Sequence, residues 1–169
     1  MPPALSAVQA DITSLRVDAV VNAANSRLAG GGGVDGAIHR AAGRADLMSA
    51  CAALGGCEPG DAKATPGFRL PARWIIHTVG PVWQGGRHGE PDVLARCYVT
   101  SMQVADQLGA RSVAFPAIST GIYGFPKDLA AVIAVNTLRR SASAAQQVIL
   151  VAYDEETLRM YESHLTGDR

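Results

Sequence analysis

Four runs of apolar residues along the chain predict buried β-strands. They contain almost no polar positions, which is typical of strands covered on both faces of a sheet. The runs are 19–21, Trp74–Val79, Ser112–Phe115 and 148–152. We therefore expect a sheet with helices packed on both sides.

Segments of helical periodicity lie between these strands. In 91–108 the apolar residues recur every three or four positions, with Pro91 placed for the first turn and Gly109 for the stop. The predicted helices are 34–54 with a break near Gly43, 91–108, 127–140, and a last one from Asp154, whose carboxylate can cap it.

The order of the last elements fixes the fold class. Strand 112–115, helix 127–140 and strand 148–152 form a βαβ unit, whose two strands run parallel. The predicted class is therefore α/β. We find no internal repeat or low-complexity linker, and we expect residues 1–169 to form a single domain.

The charge balance and the cysteine content exclude some classes of binding partner and of stabilising site. The 169 residues carry 15 basic and 15 acidic side chains, whereas nucleic-acid coat proteins and polybasic membrane binders have an excess of Lys and Arg. Three cysteines without a C-x-x-C pair suit neither a disulfide framework nor a four-ligand zinc site. We expect a cytoplasmic monomer with no nucleic-acid or membrane partner, no metal and no cofactor.

A glycine-rich loop follows the first predicted strand, where an α/β sheet presents its binding crevice. It holds Asn22 and Asn25, four glycines over 30–33, and Asp35. Glycines let the backbone approach a ligand closely, although a flexible surface loop would look similar. The polar side chains at both ends favour a binding site.

A second loop, PAISTGIYGFP over 116–126, joins strand 112–115 to the helix at Lys127. Its successive backbone N–H groups, with a helix start behind them, form an anion cradle. This loop would hold phosphate through amides, which fits the zero net charge. A crossover turn rich in Gly and Pro is the structural alternative.

Other nucleotide motifs fit less well. The glycines at 31, 33 and 36 satisfy the dinucleotide fingerprint, but eight residues, 22–29, separate the strand from the glycine run that begins at Gly30. That motif requires a tight turn after the strand and an acidic residue at the end of a strand about 20 positions later. This sequence has neither feature. No phosphate-binding G-x-x-x-x-G-K-[ST] loop occurs.

Taken together, the motifs resemble the macrodomain family, specifically the MacroD-type ADP-ribosyl hydrolases. The matching segments occur in family order: Asp11-Ile12-Thr13, VNAANS from Val21, GGGGVDGAIHRAAG from Gly30, Leu70-Pro71 with IHTVGP from Ile76, and FPAISTGIYGFP from Phe115. The resemblance implies a three-layer α/β/α fold with a central mixed, partly parallel sheet, and a cleft for ADP-ribose. One departure is Ala10, where the family often has glycine.

The resemblance also implies residue roles. Asp11 resembles the acid that accepts a hydrogen bond from the adenine amino group, Asn25 the residue touching the distal ribose, and Asp35 the catalytic aspartate. The other residues expected to bind substrate are Ile12, Asn22, Gly32, Gly33, Val34, the pyrophosphate loop Ser119, Thr120, Gly121, Ile122 and Tyr123, and Phe125 beside the distal ribose.

Several of these positions have simpler structural interpretations. Asp11 could be a turn or cap residue, and the Asn22 amide is expected to tie loop backbone together. We interpret His39 and His77 as oriented polar residues, since neither follows a metal-ligand spacing or adjoins a candidate nucleophile.

The implied activity is a metal-independent hydrolase that removes mono-ADP-ribose from Glu- or Asp-linked proteins and deacetylates O-acetyl-ADP-ribose. Glycoside hydrolysis generally uses two carboxylates, and this sequence offers one, Asp35. A carboxylate leaving group, whose acid has an ordinary pKa of ~4, departs without being protonated first. The alternatives are a non-catalytic ADP-ribose reader and a hydrolase of ADP-ribosylated nucleic acid, which needs a basic rim.

Overall fold

The computed structural model describes residues 2–167, in which six strands form one sheet. The strands are β1 Ala4–Gln9, β2 Ala19–Ala24, β3 Ala62–Pro66, β4 Trp74–Val79, β5 Ser112–Phe115 and β6 Gln147–Ala152. Their order across the sheet is β1-β6-β5-β2-β4-β3. Neighbours pair in parallel except β3, which is antiparallel to β4. The expected mixed, partly parallel sheet is confirmed.

Helices cover both faces of this sheet. They are α1 Gly33–Ala42, α2 Arg44–Leu54, α3 Glu90–Leu108, α4 Lys127–Arg139 and α5 Glu155–Gly167, with a 3₁₀ helix at Ile12–Ser14. Ile38 of α1 and Leu47 of α2 belong to one buried apolar cluster, whereas Leu94 of α3 and Tyr161 of α5 belong to a second. Two cores on opposite sheet faces confirm the three-layer α/β/α architecture.

The chain forms its helix ends where the sequence predicted them. Gly43, at φ +103°, separates α1 from α2, and Gly109, at φ +72°, ends α3 in the left-handed conformation that glycine adopts without strain. The Asp154 carboxylate caps α5 by accepting a 2.8 Å hydrogen bond from the Thr157 N–H. These capping and terminating residues determine the helix bounds to within a residue or two.

Three strands differ from the sequence prediction. β2 continues to Ala24, so Asn22 lies on a strand and not in the loop; its backbone pairs in register with His77 on β4. β1 and β3 were missed because they are edge strands that carry exposed and polar positions, including Pro66 at the end of β3. A search for apolar runs finds central strands and overlooks such edges.

The parallel strands bring their carboxyl ends to one edge of the sheet. The loop after β2 and the loop after β5 are neighbours there, because β2 pairs with β5. An open α/β sheet binds its ligands at this edge. Within residues 2–167, no helix is long and apolar enough to cross a membrane.

Candidate active site

The loop after β2 is held in shape by Asn25. Its Nδ2 donates a 2.9 Å hydrogen bond to the Gly30 carbonyl, and its Oδ1 accepts a 3.2 Å bond from the Ala29 N–H. Asn25 therefore ties the loop backbone together. We predicted from the sequence that Asn22 would do so, and this prediction is wrong.

Glycines let this loop close onto the start of α1. A Cβ atom on Gly36 would lie 2.5 Å from the Gly31 carbonyl oxygen, so only glycine permits this contact. A Cβ atom on Gly31 would lie 3.5 Å from Asp35 Oδ2 and 3.8 Å from Asn25 Nδ2. The structure thus brings the side chains of Asn25 and Asp35 close to the same glycine.

Asp35 stands in the first turn of α1, where the helix dipole favours a negative charge. The residue is 6% exposed. Its Oδ1 accepts a 2.8 Å hydrogen bond from Asn22 Nδ2 and lies 3.3 Å from His39 Nε2. Its Oδ2 has no hydrogen bond to residues 2–167. One oxygen is anchored in the interior, and the other faces the glycine loop.

His39 lies one helical turn after Asp35 and is buried. Its Nδ1 has no hydrogen-bond partner within the described residues, and the ring packs beside Gly30. This contact with the carboxylate was not predicted from the sequence. The i, i+4 spacing of the two residues was the available signal, since such pairs are neighbours on a helix.

Asn22 and His77 lie beneath Asp35. Asn22 is fully buried, and its Nδ2 lies 3.1 Å from His77 Nδ1 as well as 2.8 Å from the Asp35 oxygen. Burial lowers the pKa of His77 to about 4, with a further contribution from His39, so the ring is neutral at pH 7. Asn22, expected among the substrate-binding residues, supports the site from below.

The loop after β5 presents a row of free backbone donors. The N–H groups of Thr120, Gly121, Ile122 and Tyr123 donate no hydrogen bond to residues 2–167. The loop closes on itself through a 2.9 Å bond from the Phe125 N–H to the Ser119 carbonyl, with Ser119 at φ +66°. This is the geometry of an anion cradle at the approach to α4.

The end of β4 packs directly on this loop. A Cβ atom on Gly80 would overlap Ser119 Oγ and approach Ile118 Cγ2 to 2.7 Å. Ser119 is buried, and its hydroxyl has no hydrogen-bond partner within the described residues. Gly80 therefore allows the cradle to settle against the strand.

Trp83, which was not among the predicted site residues, covers the far side of the cradle. Its ring centroid lies 4.8 Å from that of Phe125, which is only 2% exposed. Phe125, expected to line a ribose, is thus buried in the core, with the tryptophan packed against it. No sequence signal marks Trp83, because a tryptophan after a strand is more often a core residue.

Glu90 holds the loop that carries Trp83. Its carboxylate accepts hydrogen bonds from the N–H groups of Gln84 at 2.8 Å, Gly86 at 2.9 Å and His88 at 2.6 Å. Burial opposes its ionisation, but these backbone hydrogen bonds prevail and lower the pKa of Glu90 to about 2. The loop is therefore built around a permanent negative charge at neutral pH.

Asp11 and Tyr153 follow neighbouring strands at the other end of the cleft, since Gln9 of β1 pairs with Ala152 of β6. Asp11 Oδ1 accepts hydrogen bonds from the N–H and hydroxyl of Thr13, so the cap interpretation holds, while Oδ2 has no hydrogen bond to residues 2–167. Tyr153 is 93% exposed. It was not predicted as a site residue, although its place after a predicted strand was a signal.

No group of three or more His, Cys, Asp or Glu side chains within residues 2–167 is arranged to hold a metal ion. Cys51 Sγ lies 3.8 Å from His77 Nε2, and burial, with Asp35 nearby, raises the pKa of this thiol to about 11. Cys51 is therefore a neutral, buried thiol at pH 7.

The protein is similar to known sequences over nearly its whole length. The family model of the Macro domain matches residues 21–134. A macro domain-containing protein of Ralstonia nicotianae is 56% identical and the match covers 98% of this chain and 96% of the relative. An O-acetyl-ADP-ribose deacetylase of Citrobacter rodentium is 51% identical, with 96% of each chain covered.

Solved structures of macrodomains are also similar to this chain. A mutant of the Oceanobacillus iheyensis macrodomain with ADPR superposes with a TM-score of 0.93 at 36% identity, covering 98% of this chain and 94% of that one. The Trypanosoma brucei macrodomain in complex with ADP-ribose gives a TM-score of 0.88 at 39% identity, over 95% and 68% of the two chains. With the sheet, the glycine loop and the cradle in place, the chain belongs to the macrodomain family.

Proposed function

We propose that this macrodomain is a hydrolase that removes mono-ADP-ribose from proteins modified through Glu or Asp esters, and deacetylates O-acetyl-ADP-ribose. The observation that carries this proposal is Asp35, whose Oδ1 is anchored while Oδ2 is open beside the glycine loop. Relatives at 51% identity are named O-acetyl-ADP-ribose deacetylase, which supports the same chemistry.

The binding edge of the sheet offers a separate place for each part of ADP-ribose. From β1 to β2 the order is β1-β6-β5-β2, which is three strand spacings, or ~14 Å. Tyr153 and Asp11 lie at the β1 end and would take the adenine, the ring by stacking and the amino group by a hydrogen bond. The distal ribose then lies between Asn25 and Asp35.

The pyrophosphate lies between these ends, over the loop after β5. Four backbone N–H groups, from Thr120 to Tyr123, supply the donors, and the start of α4 adds its dipole. Neutral donors suffice here, which accounts for a phosphate site in a chain of zero net charge.

In the reaction, Asp35 Oδ2 accepts a hydrogen bond from a water and polarises it toward the ester linkage. Water adds, and the products are ADP-ribose and a free carboxylic acid, which is Glu, Asp or acetic acid. General-base assistance is typically worth ~10²- to 10⁴-fold in rate. Orientation by the cradle and exclusion of bulk water by the glycine loop supply the rest.

The decisive experiment compares wild type with Asp35→Ala on a protein carrying glutamate-linked ADP-ribose. We expect release of ADP-ribose by wild type, a loss of about 10²-fold or more in the variant, and unchanged ADP-ribose affinity by calorimetry. Asp46→Ala is a matched control, because Asp46 also lies in the first turn of a helix but is exposed. Binding by wild type without any release identifies a reader instead.

A further inference from the structure

We propose that His77 is a positioning residue for the Asp35 carboxylate, acting through Asn22 without touching substrate. The three side chains form a row across α1, β2 and β4. Asn22 Nδ2 lies 2.8 Å from Asp35 Oδ1 and 3.1 Å from His77 Nδ1. All three residues are buried. This inference rests on the proposed hydrolase function, because Asp35 is the group being positioned.

The chemistry of the carboxylate fixes the direction of these bonds. An ionised carboxylate can only accept, so the Asn22 atom facing Asp35 is the amide nitrogen, which donates. The same nitrogen faces His77 Nδ1, and its second hydrogen is available there. Nδ1 of His77 must therefore be an acceptor without a proton.

The other side of the His77 ring agrees with this assignment. A neutral imidazole carries one N–H, which must be at Nε2. Nε2 lies 3.0 Å from Thr65 Oγ1 on β3, and the Thr65 hydroxyl in turn lies 3.2 Å from the Pro66 carbonyl, to which it donates. Every bond from Asp35 to Pro66 then pairs one donor with one acceptor.

The orientation of the Asn22 amide leaves its oxygen without a hydrogen-bond donor among the described residues, and this cost indicates why the second bond, to His77, is needed. Asn22 Oδ1 is buried and accepts no hydrogen bond from residues 2–167. With Asp35 as its only partner, the amide could rotate about χ2 and seek a donor for that oxygen. The second bond, to His77 Nδ1, fixes the amide plane and so aims one N–H at Asp35 Oδ1.

His77 can act in this way only while it is neutral. Burial lowers its pKa to about 4, and the titratable groups around it are Asp35, His39 and the Cys51 thiol. A protonated ring would place an N–H against the amide N–H₂ of Asn22, which is a donor facing a donor. The interior thus keeps Nδ1 as an acceptor at neutral pH.

Two substitutions at His77 separate positioning from simple packing. The side-chain oxygen of His77→Asn reaches about the place of Nδ1 and can accept from Asn22. The amide of His77→Gln reaches about the place of Nε2 and can donate to Thr65, but it leaves Asn22 without its acceptor. We expect His77→Gln to lose about 10- to 100-fold in kcat with ADP-ribose affinity unchanged, and His77→Asn to keep most of kcat.

Thr65→Val is the matched control, because it removes the partner of Nε2 and leaves the Nδ1 bond intact. We expect its kcat to equal that of wild type. If His77→Gln keeps kcat while His77→Asn and Thr65→Val lose it, His77 braces β3 and the proposal is overturned. Equal losses in both His77 variants, with equal losses in thermal stability, overturn it as well.

A measurement on the unmodified chain tests the inference separately from the hydrolase proposal. Long-range ¹H–¹⁵N NMR should show His77 protonated at Nε2 and bare at Nδ1 at pH 7. A proton on Nδ1 contradicts the positioning row even if the enzyme is active. If wild type releases no ADP-ribose, the proposed function fails, while the NMR result still decides the direction of the Asn22 bond.

Discussion

The backbone N–H of Trp83 donates a 2.8 Å hydrogen bond to the Tyr123 carbonyl. This bond joins the loop after β4 to the anion cradle after β5. The cradle is therefore supported from outside as well as by its own turn, and the shape of one loop depends on the other. Glu90 controls that support, because its carboxylate holds the Trp83 loop.

Glu90→Gln should loosen the Trp83 loop. The amide replaces one acceptor oxygen by a donor, so at least one of the N–H groups of Gln84, Gly86 and His88 loses its partner. Their hydrogen exchange should accelerate by about tenfold or more, and ADP-ribose should bind more weakly. Asp92→Asn, on the exposed side of the same helix turn, is the control and should change neither.

The cradle can be tested at Gly121. A Cβ atom there meets nothing within 4 Å, so a side chain can begin at this position without a clash. Gly121→Glu should nonetheless weaken ADP-ribose binding by about 100-fold or more, because a carboxylate would occupy the pyrophosphate space and repel its charge. Gly121→Ala should stay within about twofold of wild type. Calorimetry measures both, and an unchanged affinity of the Glu variant would remove this loop from the site.

The leaving group should govern which conjugates are cleaved. Asp35 is the one carboxylate assigned to the reaction, and no second acid is assigned to protonate a leaving group. Glu- and Asp-linked ADP-ribose should be released, whereas arginine-linked ADP-ribose should persist, since a guanidine is a far poorer leaving group. Parallel assays on the two conjugates decide this point. Equal rates would keep the enzyme but refute the mechanism.

Tyr153 should contribute to adenine binding through its exposed ring. Stacking of a base on an aromatic side chain is worth ~1–3 kcal/mol, so Tyr153→Ala should raise the Kd for ADP-ribose by about 5- to 150-fold. Tyr153→Phe keeps the ring and should bind as wild type does. Ribose 5-phosphate, which lacks the base, should bind all three proteins alike.

Stability should fall with acid through His77. The unfolded chain takes up a proton below the ordinary histidine pKa of 6.5, whereas the folded chain resists until about pH 4. The free energy of unfolding therefore decreases as the pH drops through this window, by about 3 kcal/mol in total. His77→Asn cannot titrate there, and its stability curve should lack this component. Urea unfolding of the two proteins measures this. If the free energy of unfolding changes with pH equally in both between pH 4 and 6.5, the assignment is contradicted.

The sequence was a good guide to the loops and a poorer one to the side chains within them. The break at Gly43 and the positions of the glycine loop and the cradle follow from local rules for Gly, Pro and apolar runs. The roles of Asn22 and Asn25 do not. Both are asparagines of one short motif, and only the continuation of β2 to Ala24 decides which is buried beneath Asp35 and which faces the loop.

Contacts between distant segments account for the other omissions. His39 and Asp35 meet because one helix carries both, but their burial depends on the glycine loop folding over them. Trp83 contacts Phe125, which lies 42 positions later in the chain and in a different loop. Such pairings depend on strand order, which a single sequence does not reveal.

Gly80 gives the cleft a fixed width. Because the Ser119 hydroxyl and the Ile118 Cγ2 occupy the place where a side chain would begin, any other residue at this position must displace these two residues at the start of the cradle. The four donor N–H groups would then move relative to Asp35, because Asn22 anchors that carboxylate to β2. A single added methyl group, far from any reacting atom, would thus change the spacing between the loop that binds phosphate and the carboxylate beside the ribose.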